Sequence, residues 1–308
     1  MWGKGEHMDI KKYEVFLNTL NKGSFARACE ELGYSQPAIT HMMKSMEREI
    51  GVPLLKRSNR GIQLTNEGEE VLPLIRQLVK LNDQLNQKYD LLRGLETGKV
   101  RVGTFPTVAC SWLPRILRVF EKRYPNIQIE LLEENSLVCL EKWLSAGFVD
   151  LCFIGRQPYH TFKWFDLAED PYCAVLPEGH PLAAYQRVPI SEFENQPFLM
   201  CKTKDGLDAD ISNYFKSNNA QIHLKMSSNS DLTIVYMVRE KLGVSILPRL
   251  MLDTIFEDGH RGIELRELDP PTTRQLGIAV HSAEDISPAM ERFIKCACEV
   301  ISGQEDRS

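Results

Sequence analysis

The chain lacks any run of 18 apolar residues, and its first 30 residues hold no apolar segment followed by a small-residue cleavage site. Neither a membrane-spanning helix nor a secretory signal is therefore expected, and the expected address is the cytoplasm. Eight cysteines, at 29, 110, 139, 152, 173, 201, 296 and 298, include no C-x-x-C pair, and no histidine pair of zinc-finger spacing accompanies them. Cys296 and Cys298, two apart in a helical pattern, point in different directions. Reduced thiols without a structural metal are expected. Also missing are a G-x-S-x-G elbow, H-E-x-x-H, a Walker loop and a dinucleotide fingerprint, and the seven histidines are scattered. Hydrolytic, nucleotide-dependent and metalloenzyme chemistry thereby lose support, no cofactor is implied, and the expectation is a non-enzyme.

Extremes of composition are missing too. With 43% hydrophobic and 26% charged residues, disorder and disulfide miniproteins are excluded. The 308 residues suggest two domains, at roughly 150 residues each. The net charge of -5 is uneven: residues 1–66 hold ten Lys or Arg against seven Asp or Glu, so the front is +3 and the remainder -8. A polyanion would dock at the front.

Tyr13, Phe16, Leu17 and Leu20 space a first amphipathic helix over residues 10–20, which Asn21-Lys22-Gly23 breaks. Ser24 is placed to cap a second helix, Phe25 to Leu32, ended by Gly33. Ser35 is placed to cap a third, with Pro37 in its first turn, running to Ile50 before Gly51. Its inward stripe is Ile39, Met43, Met46 and Ile50, and the opposite edge carries Gln36, Thr40, Lys44 and Arg48. Residues 54–65 then have apolar ends around a glycine-containing middle with three cations, Lys56, Arg57 and Arg60, the pattern of a β-hairpin. Three helices and a cationic hairpin make a winged helix-turn-helix, whose last helix enters the major groove.

The run Gly23-Ser24-Phe25-Ala26-Arg27-Ala28 with Leu32, then Ser35-Gln36-Pro37-Ala38-Ile39-Thr40, Glu47, Gly51, Leu54, Arg57, Arg60 and Leu64-Thr65 with Gly68 resembles the N-terminal signature of LysR-type transcriptional regulators. The likeness extends over about residues 8–300. Leu55 replaces the usual Phe, Thr40 the common Ser and Glu67 the common Ala. None of these departures removes a cation, and the family-like start fits Met8, with residues 1–7 either an extension or a cloning remnant. The resemblance implies promoter DNA, a small-molecule effector, self-association as dimer or tetramer and RNA polymerase as partners, with no membrane. Expected DNA-binding residues are Ser35, Gln36, Pro37, Thr40, His41, Lys44, Arg57 and Arg60. Lys44, Arg57 and Arg60 neutralise phosphates, while Gln36, Thr40 and His41 reach base edges.

From Glu67 to Arg93 the pattern is helical. Val71, Ile75, Leu78, Asn82, Leu85, Tyr89 and Leu92 form a heptad seam with one polar position, as in a coiled-coil dimer, and Pro73 should loosen its first turns. Beyond Gly94–Gly98 strands alternate with helices, implying parallel, doubly wound α/β units. The fold expected overall is α/β: a winged helix-turn-helix over 8–66, a linker helix over 67–95, and a two-lobed effector domain over 96–302. Lobe I spans 96–172 and 269–302, and lobe II 173–268. The resemblance likens this last part to periplasmic binding proteins.

Ligands of open α/β sheets sit beyond strand C-termini, near helix N-termini. That rule selects Thr104, Pro106, Thr107, Ser136, Cys201, Thr203 and Ser230, whose hydroxyls and amides suit a small anion such as a carboxylate, with Lys202 adding charge. In the resembling family, the loops holding Thr107 and Ser136 contact effectors. Two other readings stay open. One is a thiol sensor pairing Cys201 with Cys173, its only second-lobe companion. The other is an α/β solute-binding protein or enzyme without DNA, which would leave the cationic hairpin unexplained.

Overall fold

A computed structural model describes residues 9–58, 61–256 and 262–303, in two compact units, Met1–Leu95 and Glu96–Ser308. The first unit opens with α1 (Ile10–Lys22), α2 (Phe25–Leu32) and α3 (Gln36–Ile50). Each ends at a glycine in the left-handed region, Gly23, Gly33 and Gly51, a conformation other residues resist. Ser35 caps α3 by accepting from the Ala38 N–H, whereas Ser24 occupies the cap position of α2 without a side-chain bond. Val15, Phe16, Ala28, Ile39, Met43, Met46 and Leu54 fill the core. Ile50, expected on the inward stripe, is exposed: as the last residue of α3 it lies at the end of the buried face.

The hairpin forms as expected, β1 (Leu55–Ser58) antiparallel to β2 (Gly61–Leu64). Thr65 locks it to the next helix: its hydroxyl donates to Pro53 O at 2.8 Å and accepts from the Gly68 N–H at 3.0 Å. A Cβ at Gly68 would collide with Leu54 O, so only glycine permits this approach.

Helix α4 (Asn66–Leu92) contains Pro73 without interruption, contrary to the expected loosening. Val71, Leu72 and Ile75, flanking the proline, pack into the three-helix core and offset the single lost hydrogen bond. The same packing corrects the seam. Val71 and Ile75 belong to the core, and the exposed apolar stripe is Leu74, Leu78, Leu81, Leu85, Tyr89 and Leu92.

In the second unit, β3 (Gly98–Thr104) leads to α5 (Pro106–Ser111), α6 (Leu113–Arg123), β4 (Ile127–Glu133), α7 (Leu137–Ser145) and β5 (Leu151–Gly155). The long β6 (Lys163–Pro177) follows, then β7 (Arg187–Pro189), β8 (Phe198–Thr203), β9 (Gly206–Leu207), α8 (Ala209–Ser217), β10 (Leu224–Ser228) and α9 (Asp231–Arg239). Last come β11 (Ser245–Pro248), α10 (Arg249–Ile255), β12 (Ile263–Asp269), β13 (Thr273–Val280) and α11 (Pro288–Ile301). The large sheet has the order β4-β3-β5-β13-β6-β12-β7, with β11 also on β6, and a small sheet has the order β10-β8-β9.

The sheet is mixed, correcting the parallel expectation. β3 is parallel to β4 and β5, but β13, β11 and β12 run antiparallel to β6. The cause is the two-lobed plan. β6 carries the chain from lobe I to lobe II, residues 163–171 pairing with β13 and 172–177 with β11 and β12. β12 and β13 carry it back alongside, and a chain that leaves and returns passes the boundary in opposite directions. Phe120, Phe153 and Phe293 centre the core of lobe I, and Phe193, Phe198 and Phe215 that of lobe II.

Candidate functional site

Helix α3 offers one face to solvent. Gln36, Lys44 and Arg48 are exposed on a single row, with Pro37 and His41 exposed beside it and Ser35 at the cap. Thr40 is half-buried and, with Lys44 and Lys56, borders a cavity of about 130 Å³ between α3 and the hairpin. Arg57 has its backbone in β1, but its side chain, and the whole of Arg60, lie outside the described residues. The sequence reading missed the part played by Glu47. Its Oε1 accepts from the backbone N–H groups of Leu54 and Leu55 at 2.8 and 2.9 Å, clamping the hairpin to α3. Its sequence signal was only its place in the family-like pattern.

Of the other selected residues, all in the second unit, Ser136 has a hydrogen bond to the opposite lobe, and Thr104, Thr107, Thr203 and Ser230 have local ones. At the end of β3, Thr104 is fully buried and its hydroxyl donates to Phe105 O at 3.1 Å. Pro106 opens α5, and the nearly buried Thr107 accepts the Ser111 hydroxyl on its carbonyl oxygen. Ser136, 1% exposed, caps α7 by accepting from the Cys139 N–H at 3.0 Å, and its hydroxyl donates to the Asp205 carboxylate of lobe II. In lobe II, Thr203 accepts from the Asp205 N–H at 3.2 Å, while Ser230 caps α9 by accepting from the Thr233 N–H at 3.3 Å.

Three further contacts of this corner cross between the lobes. Asn135 Nδ2 donates to Asn229 O at 2.8 Å, and Lys204 Nζ reaches Glu134 at 2.9 Å and Cys139 Sγ at 3.1 Å. Glu134, Lys204 and Asp205 were not selected from sequence. Asp205-Gly206 is a hairpin-turn dipeptide, the one local hint that β8 and β9 would present their tip.

Three carboxylates of lobe II, Asp208, Asp210 and Asp231, lie near one another. Asp208 accepts from the Ile211 N–H at 3.0 Å; burial, with Asp210 and Asp231 nearby, raises its pKa above the usual carboxylate value. Tyr172 donates to Asp210 at 3.0 Å, and burial pushes this phenol well up. Burial first, and then Asp231 and Asp208, push the Cys201 thiol up, and burial raises Cys173. A raised thiol pKa lowers the thiolate fraction on which thiol oxidation depends. Arg274 is held by Asp170 through Nε and Nη2 at 2.9 and 2.8 Å. Among the described residues no group of three or more His, Cys, Asp or Glu is placed to hold a metal, and no helix is long and apolar enough to cross a membrane.

A winged three-helix unit, a long helix with an apolar outer stripe and a two-lobed α/β unit together define a DNA-binding regulator with a ligand-binding domain. The chain belongs to the LysR family of transcriptional regulators: residues 10–69 match the bacterial regulatory helix-turn-helix protein family, lysR type, and residues 93–301 match the LysR substrate binding domain. It is a regulator and not an enzyme. It is 28% identical over 298 residues to the uncharacterized HTH-type transcriptional regulator YvbU of Bacillus subtilis (strain 168), covering 96% of this chain and 100% of that protein. A full-length, singly substituted OxyR from Pseudomonas aeruginosa shares the fold with TM-score 0.77 at 21% identity, covering 96% of this chain and 95% of that one. CbnR in complex with its target DNA gives TM-score 0.53 at 20% identity, covering 96% and 100%.

Proposed function

We propose that the protein binds promoter DNA through α3 and the hairpin wing, self-associates through α4, and answers to a small anionic effector held between the two lobes. The observation that carries the DNA part is the exposed row of Gln36, Lys44 and Arg48, with His41 beside it, clamped by Glu47 to the wing that bears Lys56, Arg57 and Arg60. The lysines and arginines supply phosphate neutralisation, and Gln36 and His41 supply donors and acceptors for base edges. The apolar stripe on α4 from Leu74 to Leu92 is the surface for a second copy, and two modules so joined would read a two-fold symmetric site.

Anisotropy titrations of a duplex from the protein's own upstream region, at several salt concentrations, test this reading. Lys44→Ala should weaken binding on every sequence and flatten the log–log salt slope by about 0.9, one phosphate's worth. An unchanged slope would remove α3 from the interface.

The effector part is supported by Ser136 at the N-terminus of α7, where a hydroxyl and the positive end of the helix favour negative charge. Thr107, in the first turn of α5 after β3, and Cys201 and Thr203, in the last residues of β8, are the further residues this reading places along the cleft. Effector and promoter then affect one another's affinity by the same factor.

A further inference from the structure

We infer that the tip of the β8–β9 hairpin is an internal competitor for the effector: the Asp205 carboxylate occupies the position at Ser136 that an effector's carboxylate takes when it binds. The inference rests on the effector-cleft reading above and adds to it how the empty cleft is held and what the ligand must displace.

Three observations point the same way. The Ser136 hydroxyl, 1% exposed, donates to a carboxylate from the opposite lobe. Ser136 accepts from Cys139 N–H at the same time, so its proton is committed outward, to Asp205. The chain itself thus seats a carboxylate at the N-terminus of the nine-residue α7, which identifies the chemistry the position accepts.

The hairpin is built to deliver that group. Lys204 and Asp205 form its turn, with Gly206 at φ +130° and the Asp205 N–H bonded to the Thr203 hydroxyl. Lys204 reaches the same corner of lobe I, 2.9 Å from Glu134, and the Glu134 carboxylate also accepts from the Ser136 N–H at 3.1 Å.

Charge then makes the two occupants exclusive. Among the described residues, two carboxylates, Glu134 and Asp205, and one ammonium, Lys204, stand around Ser136. Adding an anionic ligand would put three carboxylates around that cation. Exchanging Asp205 for the ligand leaves the balance unchanged. The exchange also removes the Ser136–Asp205 tie between the lobes while Lys204 stays paired with Glu134, so occupancy of the cleft is converted into a change in how lobe II is held to lobe I. Asn135–Asn229 and Lys204–Glu134 remain as ties across the same gap.

The test uses the full-length chain, with acetate and benzoate as probes. Thermal shift against probe concentration gives the affinity, and hydrogen exchange over residues 133–140 reports whether α7 is the site. Asp205→Ala and Asp205→Asn, both in an exposed turn, should bind the carboxylates at least about tenfold tighter than the parent chain, with probe-dependent protection at α7. Glu133→Gln, which removes an exposed charge nearby, should not. If the Asp205 variants and the parent protect α7 with equal affinity, Asp205 is no competitor and the inference is overturned, while the anion-binding cleft stands. A similar gain in Glu133→Gln would reduce the effect to general repulsion and likewise overturn it. If no form of the protein binds either probe at α7, the anionic-effector reading falls, and this inference with it.

Discussion

Asp170→Ala should cost the effector domain about 3–5 kcal/mol, because it strands a guanidinium in the interior. Asp170 is 3% exposed, and it uses both carboxylate oxygens: Oδ2 accepts from Arg274 Nε and Nη2, and Oδ1 accepts from the Leu250 N–H at 2.8 Å. Its removal leaves Arg274, beside Tyr172, with only the more distant charges of Asp231 and Asp208, and orphans a backbone donor at the start of α10. The location amplifies the consequence. Residue 170 lies just before β6 exchanges its lobe I partner β13 for its lobe II partner β11, so the ion pair ties together the strands that cross between the lobes. At about 2–4 °C per kcal/mol for a domain of this size, the transition should fall by roughly 6–20 °C in calorimetry. Asp170→Asn, which can still accept from Leu250, should lose less. The double variant Asp170→Leu with Arg274→Met should recover much of the loss, since replacing a buried pair by apolar groups is often neutral. Equal melting of Asp170→Ala and the parent would mean that the pair contributes nothing.

Glu47→Ala should release the wing. One carboxylate oxygen holds two adjacent backbone N–H groups, those of Leu54 and Leu55, and the Leu54 side chain is fully buried in the three-helix core. Losing a charge-assisted acceptor while leaving both donors short of a partner should cost about 2–4 kcal/mol within the first unit. Hydrogen exchange over 54–58 should quicken, and operator affinity should fall at least about tenfold as Lys56 loses its position beside α3. Glu47→Gln keeps an acceptor and should show the smaller effect, near ~1 kcal/mol. Wing exchange unchanged in Glu47→Ala would leave the clamp without a role.

The helices of the first unit were readable because their ends are chemical: Gly23, Gly33 and Gly51 stop them, and Ser35 with Pro37 starts the third. Helix α4 was legible as a helix but not in its facing. A heptad pattern cannot say which apolar residues a neighbouring domain claims, and Ile75 went to the core while Leu74 and Leu81 stayed outside. In the second unit the early strands and helices declared themselves by alternation. The antiparallel return through β12 was missed, since its short stretch carries more charged residues than apolar ones. Of the cleft, Ser136 was visible as a cap. Its partner was not: Asp205 lies 69 residues away on the other lobe, and no local pattern encodes a contact made by the closing of two lobes.

The central claim is that the front unit of this chain recognises a particular stretch of duplex. Its most direct test compares, at physiological salt, the affinity of the full-length protein for the DNA upstream of its own gene with that for a scrambled duplex of equal length and composition. The account predicts a preference of at least about a thousandfold for the natural sequence. Binding of both duplexes within a few-fold of each other would contradict it.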